Sequence, residues 1–263
     1  MVAVPFDQQL AEQAARRHGL DWHYTQDTES TNADVLLHYD RHRRELVAVS
    51  EAQSAGRGRR GRQWHSPPAR NIYCTVGLLK TLPADRQGLL SIVTGLALCR
   101  ALRRSAAAAV DLKWPNDLLF DGRKLGGILI ESRPHDAASI FFAIGFGLNL
   151  HMDEDALDAI GQPAASLDRA SKLPLDRTRV LIAAIDEVVD SIRGFDHAAS
   201  QGLVAEFEFV DAYHGQEVEV ITSSGRLHGV NRGITDGGQL RLETGQGLQL
   251  FSAAEISLRP ARR

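Results

Sequence analysis

Residues 56–62 read GRGRRGR, so four arginines and three glycines occupy seven consecutive positions in a chain whose formal net charge is −3. Glycine lets backbone N–H groups approach a ligand closely, and guanidinium groups pair bidentately with carboxylate or phosphate oxygens. The segment is therefore suited to binding a small anion. Two other interpretations stay open: a patch that contacts nucleic-acid phosphates, and a loop that is merely solvated. A P-loop is excluded, because Arg62 and Gln63 follow where that motif requires Lys and Ser or Thr.

Two further segments have the composition of an anion or nucleotide site. Lys113-Trp-Pro-Asn-Asp117 joins two predicted strands, and its proline interrupts the ladder, so that the polar groups beside it need not pair along the sheet. Lys124 re-enters the sheet just before Gly126 and Gly127, a pair that indicates a bulge or the close approach of a ligand. Both segments are also compatible with solvated polar turns.

Two segments are weaker indications of a ligand site: Ser30-Thr31-Asn32 and Gly145-Phe-Gly-Leu-Asn149. The triplet precedes a predicted helix, so capping of that helix competes with ligand binding as its role. The second segment lacks the third glycine and the following helix of a dinucleotide-binding fingerprint, so it fits a Rossmann site poorly. Its glycines and Asn149 can still form the floor of a nucleotide pocket.

Composition excludes several classes of protein. The 263 residues have a pI of about 6.4, unlike a strongly basic nucleic-acid-binding domain. Cys74 and Cys99 lie in apolar stretches and are expected to be reduced core thiols, and no histidine spacing predicts a metal site. No signal peptide and no apolar run of about 20 residues is present, so we expect a cytoplasmic protein.

The elements that must position these segments alternate between helix and strand. Helices are predicted at 5–19, after Asn32, at 91–105 and at 178–195, and strands at 45–51 and 71–79 place the arginine-rich segment in a loop. From Val110 onward the pattern is an antiparallel meander. After residue 213 short strands follow at tight spacing, which predicts a small barrel and two domains, 1–213 and 214–263.

Taken together, and in this order, the segments at 30–32, 53–62, 113–117, 123–127 and 145–149 resemble those of the biotin protein ligases, as does Glu255-Ile-Ser-Leu-Arg259. The resemblance implies an α+β fold with a mixed central sheet related to class II aminoacyl-tRNA synthetases, followed by an SH3-like barrel. It implies that biotin and ATP with Mg²⁺ form biotinyl-5′-AMP, and that a lysine of a biotin carboxyl carrier domain then takes the biotinyl group. A lipoate ligase is the alternative within this fold.

The resemblance also implies roles for individual residues. The biotin side would comprise Ser30, Thr31, Asn32, Gln53, Arg57, Gly58, Arg59 and Lys124. The ATP or adenylate side would comprise Gly56, Arg59, Arg62, Trp64, Lys113, Asn116, Asp117, Asn149 and Arg259. Catalysis is expected to rest on Arg59, Lys113, Asp117 and Lys124. Because only about 29 residues precede Ser30, we expect a monofunctional enzyme without the repressor domain of bifunctional members and without a specific DNA site.

Overall fold

A seven-stranded mixed sheet forms the larger part of the molecule, with the strand order β1-β2-β3-β7-β6-β5-β4. The computed structural model describes residues 6–196, 200–222, 225–252 and 257–260. The strands are β1 (Asp21–Thr28), β2 (Leu46–Gln53), β3 (Ile72–Lys80), β4 (Asp111–Lys113), β5 (Asp117–Phe120), β6 (Arg123–Pro134) and β7 (Ile140–Leu148). β1 and β2 are parallel and the other neighbouring pairs are antiparallel.

Helices cover both faces of this sheet. They are α1 (Gln8–Arg17), α2 (Thr31–His42), α3 (Leu89–Ala106), α4 (Glu154–Asp158), α5 (Leu167–Ala170), α6 (Arg177–Gly194) and α7 (Ser200–Val210). α2 packs on one face, against β2, β3 and β7, whereas α3 and α6 pack together on the other. Because both faces are covered, β3 and β7 are buried along most of their length, as their nearly continuous apolar sequences require.

A second sheet follows the larger one. It contains β8 (Glu217–Thr222), β9 (Gly225–Ile234), β10 (Leu240–Thr244), β11 (Gly247–Phe251) and β12 (Ser257–Pro260), all antiparallel, in the order β11-β10-β9-β8-β12. The predicted α+β class and the predicted meander of β4 to β7 are both confirmed. β1, α4, α5 and α7 were not predicted. None of the helices in the described ranges is long and apolar enough to cross a membrane.

The two sheets meet around Trp114. Its indole Nε1 donates to the Gly238 carbonyl at 3.0 Å, and the Ala212 N–H donates to the Leu112 carbonyl at 3.2 Å. The Arg86 guanidinium donates to the Asp236 carbonyl at 2.6 Å. The turn between β9 and β10 therefore contacts the segment that connects β4 to β5.

A buried ion pair joins α6 to the end of β2. Arg177, only 1% exposed, lies 2.7 Å from Glu51 through its Nη1 atom and donates to the Asn71 carbonyl from Nε and Nη2 at 2.9 and 2.6 Å. Glu51 also accepts a hydrogen bond from Tyr24. Breaking a buried pair from one side leaves an uncompensated charge in a region of low dielectric constant.

We therefore predict that Arg177→Met lowers the free energy of unfolding by about 3–5 kcal/mol. Urea denaturation followed by circular dichroism measures this loss. Arg179→Met is the matched control, because Arg179 lies on the same helix and is exposed. Equal midpoints for the two variants would contradict the prediction.

Candidate active site

A cleft opens where β2 and β7 end and β6 begins, beside the arginine-rich loop and the β4–β5 connection. Its lining includes thirteen of the predicted site residues, namely Ser30, Thr31, Asn32, Gln53, Arg57, Gly58, Arg59, Arg62, Trp64, Lys113, Asn116, Asp117 and Lys124. The structure therefore brings together segments that lie more than 90 positions apart in the sequence.

Three predicted site residues lie elsewhere. Asn149 lines an adjoining cavity with Trp64, His65 and Lys124, and its Nδ2 donates to the Ala165 carbonyl at 3.1 Å. Gly56 is buried at the start of the loop, where an added Cβ would lie 2.8 Å from the Trp64 carbonyl oxygen. The backbone of Arg259 pairs with Glu219 on β8, and its side chain lies outside the described residues.

A network of uncharged polar groups lines one end of the cleft, at the beginning of α2. Gln53 Oε1 accepts from the Thr31 N–H at 3.0 Å and faces the Thr31 hydroxyl at 3.3 Å. The Thr75 hydroxyl lies 2.8 Å from Thr31 Oγ1 and 2.7 Å from Asn32 Oδ1. Ser30 occupies the N-cap position without a side-chain capping bond, so its hydroxyl is not used for capping.

Two glycines of β7 make room for side chains on the cleft floor. A Cβ at Gly145 would collide with Asn32 Oδ1. One at Gly147 would lie 2.5 Å from Trp64 Cε2 and Nε1, so the indole rests directly on the backbone of β7. The sequence signal of Gly-x-Gly thus has a packing cause here: two side chains approach this strand more closely than a Cβ allows.

The arginine-rich loop is folded over the cleft as a small hairpin. Its backbone is closed by bonds from the Gly58 N–H to the Arg62 carbonyl at 2.7 Å and from the Trp64 N–H to the Gly56 carbonyl at 2.9 Å. Arg60 and Gly61 make the turn with φ values of 60° and 71°. The guanidinium of Arg57 bonds Glu131 Oε2 at 2.9 Å.

Arg59 extends from the loop toward the β4–β5 connection. Its Nη1 donates to Asn116 Oδ1 at 3.1 Å, and Asn116 Nδ2 in turn donates to the Ile128 carbonyl at 2.8 Å. Burial lowers the pKa of the Arg59 guanidinium, as do the neighbouring charges of Arg60 and Arg62, while Asp117 opposes this effect. Positive charge is thus concentrated at this end of the cleft.

Two lysines share one carboxylate at the same end. Lys124 Nζ lies 2.6 Å from Asp117 Oδ1, and Lys113 Nζ lies 3.6 Å from Asp117 Oδ2. Burial lowers the pKa of the Lys113 ammonium, Lys124 adds to this, and Asp117 acts in the opposite direction. Lys124 Nζ also lies 5.4 Å from the centroid of the Trp64 ring, a cation–π distance.

Thr75 and Glu131 belong to the site but were missed in the sequence. Thr75 is fully buried within the apolar strand β3, and Glu131 follows the apolar residues of β6. A polar residue inside such an apolar run indicates a buried polar contact, because a buried polar group requires a hydrogen-bond partner. Gln162 also lines the cleft, although it belongs to none of the sequence motifs.

The arrangement suits a ligand with a hydrogen-bonding head and an anionic tail. Hydroxyls and amides that can donate or accept surround one end, while Arg59, Lys113 and Lys124 supply positive charge at the other. Preplaced cations of this kind stabilise negative charge that develops during a reaction. The geometry therefore fits condensation of a carboxylate with a phosphate compound better than it fits an extended nucleic acid.

Family models match most of the chain in two parts. Residues 22–149 match the biotin/lipoate A/B protein ligase family, and residues 213–259 match the biotin protein ligase C-terminal domain. The bifunctional ligase/repressor BirA of Escherichia coli is 34% identical over 238 residues, covering 89% of this chain and 73% of the relative. The biotin–[acetyl-CoA-carboxylase] ligase of Paracoccus denitrificans is 32% identical over 239 residues, covering 87% of this chain and 97% of the relative.

Solved structures share the fold. A biotin protein ligase from Aquifex aeolicus in complex with biotin and ATP has a TM-score of 0.76 and 24% identity, covering 92% of this chain and 99% of the other. A biotin protein ligase from Leishmania major in complex with biotinyl-5-AMP has a TM-score of 0.57 and 24% identity, covering 89% of this chain and 99% of the other. At this identity the likeness establishes the fold.

We predict that Gly147→Ala displaces Trp64 and opens the loop, because the new methyl group overlaps the indole. Overpacking typically costs about 1–3 kcal/mol, so cleavage of the loop by trypsin should accelerate about 5- to 150-fold. The rate of cleavage after Arg57, Arg59, Arg60 and Arg62 measures the effect.

Gly194→Ala is the control for this variant, because no heavy atom lies within 4 Å of the Cβ it would add. If Gly147→Ala is cleaved no faster than this control, the indole does not hold the loop closed.

Proposed function

The chain belongs to the biotin protein ligase family, and on that premise we propose how its cleft activates biotin with ATP and passes the biotinyl group to a carrier lysine. The enzyme is an ATP-dependent biotin ligase. The cleft has an uncharged polar end and a cationic end, and this division supports the roles that we assign to its residues. One ligand spans both ends: biotin has a ureido ring and a carboxylate tail.

The uncharged end is assigned to the ring of biotin. The ureido group has two N–H donors and one carbonyl acceptor, which the hydroxyls of Ser30 and Thr31 and the amides of Asn32 and Gln53 can satisfy. Since Ser30, Thr31 and Asn32 are each at most 6% exposed, these groups are held in place before a ligand arrives. Such preorganisation reduces the entropy lost on binding.

The loop and Lys124 are assigned to the biotin carboxylate and the phosphate that it attacks. Gly58 and Arg57 begin the hairpin, Arg59 reaches Asn116 from it, and Lys124 binds Asp117 from β6. Two anions repel one another as they approach, so cations placed beside them lower the barrier. This supports a role for Arg59 and Lys124 in the first half-reaction.

The nucleotide is assigned to the side lined by Trp64, Arg62, Asn116, Lys113 and Asn149. Trp64 and the adjoining cavity offer an aromatic surface, and Lys113 is positioned for phosphate oxygens. Gly56 keeps the Trp64 backbone close, and the proposed part of Arg259 rests on the resemblance alone.

Mg²⁺ would accompany ATP. Among the described residues no group of three or more His, Cys, Asp or Glu side chains is placed to hold a metal ion, and Asp117 is the carboxylate lining the cleft. This donor set fits Mg²⁺ bound mainly by phosphates and water, with at most one carboxylate from the protein. When bound, the ion would neutralise phosphate charge.

The chemistry proceeds in two steps. A biotin carboxylate oxygen attacks the α-phosphorus of ATP, and pyrophosphate leaves as the bond to the bridging oxygen breaks. A carrier lysine amine then attacks the acyl carbon, AMP leaves, and the amine loses a proton. We assign Asp117, which lines the cleft at the first residue of β5, to orienting that amine or to accepting its proton.

We also propose that the carrier is a domain of a biotin-dependent carboxylase, by analogy with the names of the relatives. The division at residue 213 is supported by the second sheet and by the family match that begins there. Lipoate is the alternative substrate, since the first family model covers both kinds of ligase.

We predict biotin-dependent exchange of labelled pyrophosphate into ATP, because formation of the adenylate is reversible. Saturating biotin with Mg²⁺ should support exchange, whereas lipoate should not, and a carrier domain should become labelled on one lysine. Exchange with lipoate alone would favour the alternative. No exchange with either acid would refute the proposal.

A second prediction concerns the lowered pKa of Lys113. The ammonium attracts phosphate only below its pKa, so burial causes this attraction to disappear at a lower pH than for an ordinary lysine. Lys113→Arg keeps its charge, and the alkaline rise in the KM for ATP should therefore move up by about one pH unit or more. Exchange kinetics across alkaline pH test this.

Lys172→Arg, at an exposed position, is the control for the change of side chain. Its pH profile should coincide with that of the unmodified enzyme. Coincidence of all three profiles would show that Lys113 does not act on ATP through its charge.

A further inference from the structure

Glu131 connects the arginine-rich loop to the floor of the cleft. Its Oε2 atom accepts from Arg57 Nη2 at 2.9 Å and from Asn32 Nδ2 at 2.8 Å. One carboxylate oxygen therefore binds both the first arginine of the loop and an amide at the uncharged end of the cleft. None of the motifs in the sequence included this residue.

The contact belongs to a continuous path of polar groups. From Asn32 the path continues through Thr75 and Thr31 to Gln53, with separations of 2.7, 2.8 and 3.3 Å. Gln53 Nε2 then donates to Ser66 Oγ at 3.2 Å, and Ser66 Oγ donates to the Trp64 carbonyl at 3.2 Å. The path thus leaves the loop at Arg57, crosses the cleft floor and returns to the loop at Trp64.

This path links two functions that are otherwise separate. Asn32, Thr31 and Gln53 are the groups assigned to the biotin ring, whereas Arg57 and Trp64 stand at the two ends of the closed hairpin. The Thr75 hydroxyl has one proton and faces two acceptors, Asn32 Oδ1 and Thr31 Oγ1. A ligand N–H that bonds either acceptor therefore affects which of the two accepts the Thr75 proton.

We propose that Glu131 is a positioning residue that couples occupancy of the biotin-ring site to closure of the loop. The proposal rests on the assignment of that site to biotin. Glu131 holds the Asn32 amide from one side and Arg57 from the other, so an ordered Asn32 and a closed loop stabilise each other. By reciprocity of linkage, biotin bound at Asn32 favours the closed loop as much as the closed loop favours biotin.

The geometry also distinguishes the roles of two arginines. Arg57 is 47% exposed and bonds Glu131, so besides the role proposed for it toward the biotin carboxylate it holds the loop to β6. Arg59 reaches Asn116 within the cleft and lies nearer to the reacting phosphate side. Loss of Glu131 is therefore expected to affect biotin retention, with little effect on the affinity for ATP.

Glu131→Gln tests the proposal, because the amide keeps the size of the side chain but loses the charge and one acceptor oxygen. Partly exposed ion pairs contribute at most about 1 kcal/mol, so the KM for biotin should rise about two- to fivefold, while the KM for ATP changes less than about twofold. Trypsin cleavage of the biotin-bound loop and release of labelled adenylate should accelerate by a similar factor.

Glu45→Gln is the matched control. Glu45 binds a guanidinium, that of Arg193 at 2.7 Å, and one amide donor, the Leu79 N–H at 2.8 Å. Its side chain is 23% exposed, against 26% for Glu131, and it precedes β2 at the end opposite Gln53. This variant should leave the KM for biotin and the protease protection unchanged.

A double-mutant cycle with Arg57→Ala isolates the coupling. If Glu131 acts through Arg57, the double variant should release adenylate no more than about twofold faster than either single variant. Additive effects, or a Glu131→Gln variant indistinguishable from Glu45→Gln, would overturn the proposal. Thermal melting checks the fold, and Glu131→Asp replaces Glu131→Gln in the cycle if the latter melts below the assay temperature.

The unmodified enzyme distinguishes failure of the proposed function from failure of the proposed coupling through Glu131. If it fails to exchange pyrophosphate with biotin, the proposed function is wrong. If it exchanges normally while the cycle is additive, only the coupling through Glu131 is wrong.

Discussion

Polar groups buried between α2 and the central sheet must be hydrogen-bonded, and much of the cleft follows from that requirement. Asn32, Thr31 and Thr75 are each at most 4% exposed, where an unpaired donor or acceptor would cost about 1–3 kcal/mol. They satisfy one another across the end of the sheet, and a glycine at position 145 leaves the room that this needs. The same bonds fix the groups that face a ligand, so stability and recognition have a common origin here.

The cationic end is governed by repulsion between like charges. Arg59, Arg62, Lys113 and Lys124 converge on one cleft, and Asp117 binds the two lysines. Burial lowers the pKa values of Lys113 and Arg59 because it removes water from their charged forms, the neighbouring cations lower them further, and Asp117 acts in the opposite direction. An incoming carboxylate or phosphate relieves this repulsion. Relief of this repulsion therefore contributes to the affinity of the site for anions.

The sequence predicted the elements with strong local signals and missed those decided by tertiary contacts. Apolar runs and turn residues were sufficient for β2, β3, the meander and α6. β1, with the sequence DWHYTQDT, is a partly exposed edge strand whose pairing depends on β2. The site follows the same division: motifs identified most of the residues that line the cleft. Thr75 and Glu131 were missed because their partners are distant in the sequence: Asn32 lies 43 residues from Thr75 and 99 residues from Glu131.

The second sheet supports the cleft from behind. Lys113 and Asn116 face the cleft, while Trp114, between them and only 1% exposed, bonds the turn before β10 through its indole. Gly238 permits this contact because a Cβ there would lie 2.7 Å from Leu89 of α3. The β4–β5 connection is thus held on one side by the C-terminal sheet and on the other by Arg59 of the loop. The residues that we propose for nucleotide binding are thus positioned by both parts of the molecule, and the C-terminal sheet supports the cleft although its described side chains do not line it.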